Sequence, residues 1–226
     1  MIPLRDDNPT RRTPVLTPAL LGACVLVFLW QVSLPPEAAR QAVYAFGVTP
    51  AVLTGAARLP AEVAAVPAWL TVFTSMFLHG GWLHLIGNML YLWIFGDNVE
   101  DDLGHGRFLL FYLLCGAAAV AAQAVPAPES TVPMIGASGA ISGILGAYLV
   151  LHPRARVLVL IPLGLFSQLL RLPAMLVLGL WFGLQLLSSL GQGDGGGVAF
   201  RAHVGGFVAG LVLAPLMRRR AVRRGR

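Results

Sequence analysis

The run VAFRAHVGGFVAGLVLAPLM fills residues 198–217 and is followed at once by RRRAVRRGR at 218–226. A helix of 20 residues rises about 30 Å, the thickness of a bilayer's hydrocarbon core, so this run is long and apolar enough to cross a membrane. Within it Ala202, Gly206 and Gly210 recur every four residues, a spacing that lets a second helix backbone come close. The arginines packed directly behind Met217 read as a stop at the cytoplasmic surface, where positive charge collects. The stretch therefore predicts a tightly packed membrane helix whose C-terminal end faces inward.

The rest of the chain agrees with this reading. Of 226 residues, 57% are hydrophobic and 12% charged, against roughly a quarter charged in a soluble domain. Mean hydropathy is +0.75. A soluble globular protein, a disordered chain and a collagen are all excluded. The net charge is +6 and every one of the 16 basic residues is arginine, but they cluster at the ends of apolar runs rather than over one face, which argues against nucleic-acid binding. Cys24 and Cys115 sit inside apolar blocks and form neither a disulfide framework nor a metal-ligand spacing.

Spans are expected at residues 17–33, 82–97, 108–125, 135–151, 172–190 and 198–217. The first carries no small-x-small cleavage signal after it and is read as a retained anchor. Residues 157–170, bounded by Arg156 and Arg171 and holding Pro162 and Gly164, are too short to span and are read as interfacial or re-entrant. Six spans with cytoplasmic ends leave only Arg40, Arg58 and Arg201 outside, an asymmetry that a seventh span would destroy. The long outer connection, residues 34–70, is expected to lay an apolar face on the membrane. The expected fold class is an all-α polytopic membrane protein, a six-transmembrane-helix bundle. Its expected divisions are a cytoplasmic tail at 1–16, one bundle domain at 17–217 and a basic cytoplasmic tail at 218–226.

Polar side chains inside a bilayer are costly, so each is a functional candidate by default. Those singled out are His84 and Asn88 in the second span, Ser138 and Ser142 in the fourth, and His203 in the sixth. With the ends inside, these three spans all enter from the outer surface, which sets His84, Ser138 and His203 at one shallow depth. His84 and Asn88 are four residues apart and share a face. His203 shares a face with Gly206 and Gly210, so packing that face on the fourth span carries the imidazole toward Ser138. A serine beside an imidazole is the minimum apparatus for acyl transfer. The acidic residues Asp97, Glu100, Asp101 and Asp102 lie at the far end of the second span, so a Ser-His dyad is expected rather than a triad. Donors for the oxyanion are available in the Ser138 N–H, the Asn88 amide and the His84 ring.

Three motifs, HGGWLHLIGN at 79–88, GASG at 136–139 and AHVGG at 202–206, in that order on spans two, four and six, resemble the rhomboid family of intramembrane serine proteases. The resemblance implies a rhomboid-like bundle, with Ser138 as nucleophile, His203 as general base and acid, and His84 with Asn88 on the oxyanion side. It implies an endopeptidase that cuts in or beside the transmembrane segment of single-span membrane proteins, with lipid as its surroundings, no nucleic-acid partner and no cofactor. Two positions depart from the pattern. Trp69, Leu70 and Thr71 stand where the family commonly has Trp-Arg, and Ser142 stands where many members carry an aromatic residue that packs on the histidine.

Taken singly, Ser138 is an ordinary packing residue and His84 and His203 could merely bond carbonyls across helices; their conjunction reverses that reading. His79, His105 and His152 are read as structural. Gly191-Gln192-Gly193-Asp194 imitates an intramembrane aspartyl motif, but no second aspartate lies within a span, and no His-Glu-x-x-His zinc motif occurs. The rival readings are a catalytically silent rhomboid-like protein that binds membrane clients, and a small-solute transporter, which would need broken helices and midplane charges. Abundant alanine and arginine without lysine suggest a bacterial source, hence an inner membrane with both termini cytoplasmic.

Overall fold

The computed structural model describes residues 1–163, 166–190 and 199–219. In chain order its elements are β1 (Ile2–Asp6), α1 (Leu16–Ser33), α2 (Pro36–Phe46), α3 (Pro50–Leu53), α4 (Thr71–Thr74), α5 (Trp82–Leu103), α6 (His105–Ala124), α7 (Ser138–Leu151), β2 (Arg156–Leu163), β3 (Phe166–Pro173), α8 (Ala174–Leu190) and α9 (Phe200–Met217), with short 3₁₀ turns flanking α4. The protein is mostly helical, and α1, α6 and α9 are each long and apolar enough to cross a membrane.

Small residues set the packing. A Cβ on Gly206 would stand 2.0 Å from the Gly139 carbonyl oxygen, one on Gly210 2.0 Å from that of Gly143, and one on Gly146 2.2 Å from that of Phe207. The contact partners advance together along both helices, so α7 and α9 lie parallel with their backbones nearly touching. Against α6 the order reverses, Gly139 meeting Ala119 and Gly143 meeting Cys115, so α6 runs antiparallel to both. Phe95 of α5 meets Tyr148 of α7 edge-on, with centroids 5.0 Å apart. Around these contacts Phe108, Phe111, Tyr112 and Phe207 fill the core.

The opposite end from the starts of α5, α7 and α9 is tied by charge. The Glu100 carboxylate accepts the N–H groups of Val15, Leu16 and Thr17, each at 2.8 Å, and so caps α1 where the helix dipole favours an anion. Asp102 pairs with His152 at 2.9 Å and Arg218 at 3.2 Å, and His105 pairs with Glu100. Gly104, at φ +76°, makes the corner between α5 and α6, a backbone that side-chained residues avoid.

Three expectations need correction. The fold is not all-α: residues 157–163 and 166–170 belong to the paired strands β2 and β3, completed by β1 into a three-stranded antiparallel sheet in the order β1-β2-β3. Val157 and Val159 are fully buried while Leu158 and Leu160 are partly exposed, the period of a strand, which a run this short could not distinguish from a buried helix segment. Second, residues 2–6 are not a free tail, since Ile2 faces Leu160 and Pro3 faces Val159 in the ladder. Third, the boundaries move: α5 continues past residue 97 to Leu103, α7 starts at Ser138, and residues 172–173 belong to β3. The motif at 191–194 and most of the terminal arginines lie outside the described residues.

The glycine contacts separate two substitutions that composition would treat alike. Gly183 has nothing within 4 Å of a Cβ, so Gly183→Ala should leave thermal stability in detergent unchanged or raise it by up to about 1 kcal/mol through helix propensity. Gly210→Ala should lower the unfolding temperature by several degrees, because α7 and α9 must separate to admit the methyl.

Candidate active site

The approach to α7 is pinned before the helix begins. Val48 and Met134 exchange both backbone hydrogen bonds, at 3.0 and 2.8 Å, and Gly136 N–H donates to the Ser75 carbonyl at 2.8 Å. Gly136 then turns at φ +120° and delivers the chain to Ser138, the first residue of α7. Helical bonding starts with Ile141 N–H donating to the Ala137 carbonyl at 2.9 Å, so the N–H groups of Ser138 to Ala140 precede it. Ser138 thus carries its hydroxyl at the positive end of a helix dipole.

His203 stands one turn into α9, on the face that meets α7. Its Nε2 lies 2.9 Å from Ser138 Oγ. The two residues are 65 positions apart in sequence, and the glycine contacts between α7 and α9 are what bring them together. The other ring nitrogen, Nδ1, lies 2.7 Å from Gln185 Oε1 on α8. Trp181, one turn before Gln185, packs on the imidazole with centroids 6.0 Å apart at 33°, and Phe200 meets it edge-on. The aromatic contact that Ser142 lacks is therefore made from α8 and the start of α9. Ser142 is buried and donates its hydroxyl to the Ser138 carbonyl at 2.6 Å, a bond back within its own helix.

His84 and Asn88 meet the same point from α5. A Cβ on Gly136 would lie 2.8 Å from His84 Cε1 and Nε2 and 3.7 Å from Asn88 Nδ2. Gly80 N–H donates to His84 Nδ1 at 3.2 Å, which places the proton of a neutral ring on Nε2, the nitrogen beside Gly136. Among the described residues Asn88 Nδ2 is buried with no hydrogen-bond partner. A buried amide donor left unsatisfied costs about 1–3 kcal/mol, a cost that an incoming acceptor removes.

Ser138, His203, His84 and Asn88 line one cavity of ≈ 840 Å³. No aspartate or glutamate is among its described lining residues, and the acidic groups of α5 are at the other end of the bundle. His79 stands behind His84, ring centroids 5.2 Å apart, with its backbone clamped by Gln31, whose Oε1 accepts His79 N–H at 2.9 Å. Burial pushes the His79 imidazole down to about 4, and the His84 ring beside it adds to the depression, so it stays neutral. Among the described residues no cluster of His, Cys, Asp or Glu could hold a metal ion. Gln185 was absent from the sequence reading; its only signal there is an amide inside the apolar run 172–190.

Residues 67–220 match the family profile described as Rhomboid domain. Rhomboid protease GluP of Bacillus subtilis (strain 168) is 36% identical over 145 residues, 64% of this chain and 26% of that protein. Rhomboid-like protein 11, chloroplastic, of Arabidopsis thaliana is 38% identical over 78 residues, covering 34% of this chain and 28% of its own. Rhomboid protein 1, mitochondrial, of Saccharomyces cerevisiae is 31% identical over 105 residues, 42% of this chain and 29% of its own length. The alignments thus take in under a third of each relative.

Gly136 offers a test of this geometry. Gly136→Ala sets a side chain at positive φ and drives a methyl into the His84 ring, so the rate at which a fluorophosphonate labels Ser138 should fall about tenfold or more. Gly87→Ala, where a Cβ meets nothing within 4 Å, should label within about twofold of the unaltered protein.

Proposed function

The chain belongs to the rhomboid family, and on that premise we propose that it is an intramembrane serine endopeptidase that uses a Ser138–His203 dyad. The observation that carries the reading is the 2.9 Å approach of His203 Nε2 to Ser138 Oγ at the mouth of a helix. His203 accepts the hydroxyl proton as Oγ attacks the scissile carbonyl, and then returns it to the departing amine, leaving an acyl-serine that water hydrolyses by the same route. Charge on the carbonyl oxygen is met by the Ser138 N–H, the His84 Nε2–H and the Asn88 amide, the last without another partner among the described residues.

The bundle crosses the membrane six times, with α1, α5, α6, α7, α8 and α9 as its spans and both termini cytoplasmic, in the inner membrane of a bacterium. α7 has 14 residues and so rises about 21 Å, less than a hydrocarbon core of about 30 Å. With its C-terminal end level with the charged groups of α5 and α9, its first residue stops short of the outer surface, where Ser138 is sheltered from lipid yet open to water through the cavity. Substrates are single-span membrane proteins with small residues at the cut. A helix keeps its carbonyls bonded, so the substrate must unwind locally to present one to Ser138.

Ser138→Ala and His203→Ala should each abolish cleavage of a single-span model substrate in reconstituted liposomes while the protein still inserts and folds. Asn88→Ala and His84→Ala should lower turnover by about 10 to 1,000-fold, the value of one oxyanion donor among several. Ser142→Ala should keep most activity. Cleavage by Ser138→Ala removes the mechanism, and a silent client-binding protein would show neither cleavage nor serine labelling.

Topology is checked separately by single cysteines in a variant lacking Cys24 and Cys115. Positions near Pro50 and Glu129 should be reachable from outside intact cells, and those near Arg11 and Arg154 only from inside.

A further inference from the structure

Gln185 and Trp181 are four residues apart on α8 and therefore present one face, and both meet the imidazole of His203. His203 is thus held at three points: Ser138 Oγ on Nε2, Gln185 Oε1 on Nδ1, and the Trp181 ring against its own. A neutral imidazole carries one proton, and only the tautomer with that proton on Nδ1 leaves Nε2 bare to accept from serine. We propose that Gln185 is a positioning residue that selects this tautomer, its amide oxygen accepting the Nδ1–H of His203 and holding the ring in line with Ser138.

The assignment rests on the dyad reading and extends it. In triads the equivalent acceptor is a carboxylate. Here it is uncharged, so no neighbouring anion favours the imidazolium before the serine proton arrives. The amide also dictates its own orientation. Turned the other way, its NH₂ would donate to Nδ1 and force the proton onto Nε2, disabling the base. Among the described lining residues the other ionisable groups that face the cavity are His84 and Tyr91 from α5 and Arg201 from α9, with no carboxylate.

The test uses the full chain reconstituted in liposomes with a single-span model substrate, with Gln185→Leu, Gln185→Asn and Gln185→Glu measured as kcat, KM and pH profile. Gln185→Leu should lose 10 to 100-fold in kcat with KM within about twofold, and fluorophosphonate labelling of Ser138 should slow in parallel. Gln185→Asn, too short by one methylene to reach Nδ1, should resemble Leu. Gln185→Glu should recover at least tenfold over Leu, because the carboxylate again accepts Nδ1–H. It should also move the acid limb of kcat/KM to higher pH by about one unit, since a neighbouring anion favours the imidazolium and the base then titrates later. Wild-type kcat in Gln185→Leu would overturn the assignment. So would equal losses in Leu and Glu with an unmoved pH profile, the mark of a residue that only packs. If Gln185→Leu does not fold, the pH profile of Gln185→Glu decides alone. Cleavage by Ser138→Ala would instead refute the dyad, an outcome separate from any result at position 185.

Discussion

The backbone contact between α7 and α9 is the constraint on which the rest depends. Two helices ordinarily stand 8–10 Å apart because their side chains intervene. Gly146 on α7 and Gly206 and Gly210 on α9 remove that spacer, each leaving no room for a Cβ against the backbone of the facing helix. Because the two helices run parallel, their first turns end up side by side, and those turns carry Ser138 and His203. α6 closes the third side through Cys115, Ala119 and Ala122, again by small groups. The hydroxyl and the imidazole meet because the scaffold beneath them has almost nothing between its backbones. In lipid, where no hydrophobic force drives helix against helix, such close packing is the main source of cohesion.

The two ends of the bundle use opposite electrostatics. At one end the ionised groups satisfy each other and the chain termini: Glu100 caps α1, Asp102 ties His152 to Arg218, and Asp6 bonds Tyr148. Burial pushes the Asp6 carboxyl up to about 6, the sign of a group held where water is scarce. At the other end the described polar groups that meet Ser138, Gly136 and His203 are hydroxyl, amide and imidazole, none of them a carboxylate. The ionic contacts that tie the helices are thus separate from the hydrogen-bonding groups beside Ser138 and His203.

Local loops contribute by fixing the approach to α7. The bridge between Val48 and Met134 and the bond from Gly136 to Ser75 set where the helix starts, and Thr74 Oγ1 anchors the short α4 to the Phe46 carbonyl at 2.6 Å. Gly136 then passes against His84 and Asn88 two residues before the serine. Position 136 excludes a side chain on two independent grounds, the positive φ and the imidazole of His84 only 2.8 Å from where a Cβ would stand.

The sequence by itself determined what depends on neighbours along one chain segment: the apolar runs, their lengths, the four-residue spacing of small residues, and the polar side chains stranded inside them. That sufficed for a helical membrane protein and to single out Ser138, His203, His84 and Asn88 as candidates, because each is an anomaly within its own segment and the three motifs occur in a recognisable order; the fold brings these four to one cavity. Only the tertiary structure decided the rest. The strand at residues 157–161 needed a partner from residues 2–6, and a pairing across more than 150 positions has no local signature. Gln185 looked like one amide in an apolar helix until α8 was laid against α9, and that packing also sets the Trp181 ring beside the imidazole of His203, which Phe200 meets from its own helix. Hydropathy and periodicity register which face of a helix is apolar, whereas the identity of the atoms opposite that face is set by the packing of elements far apart in the chain.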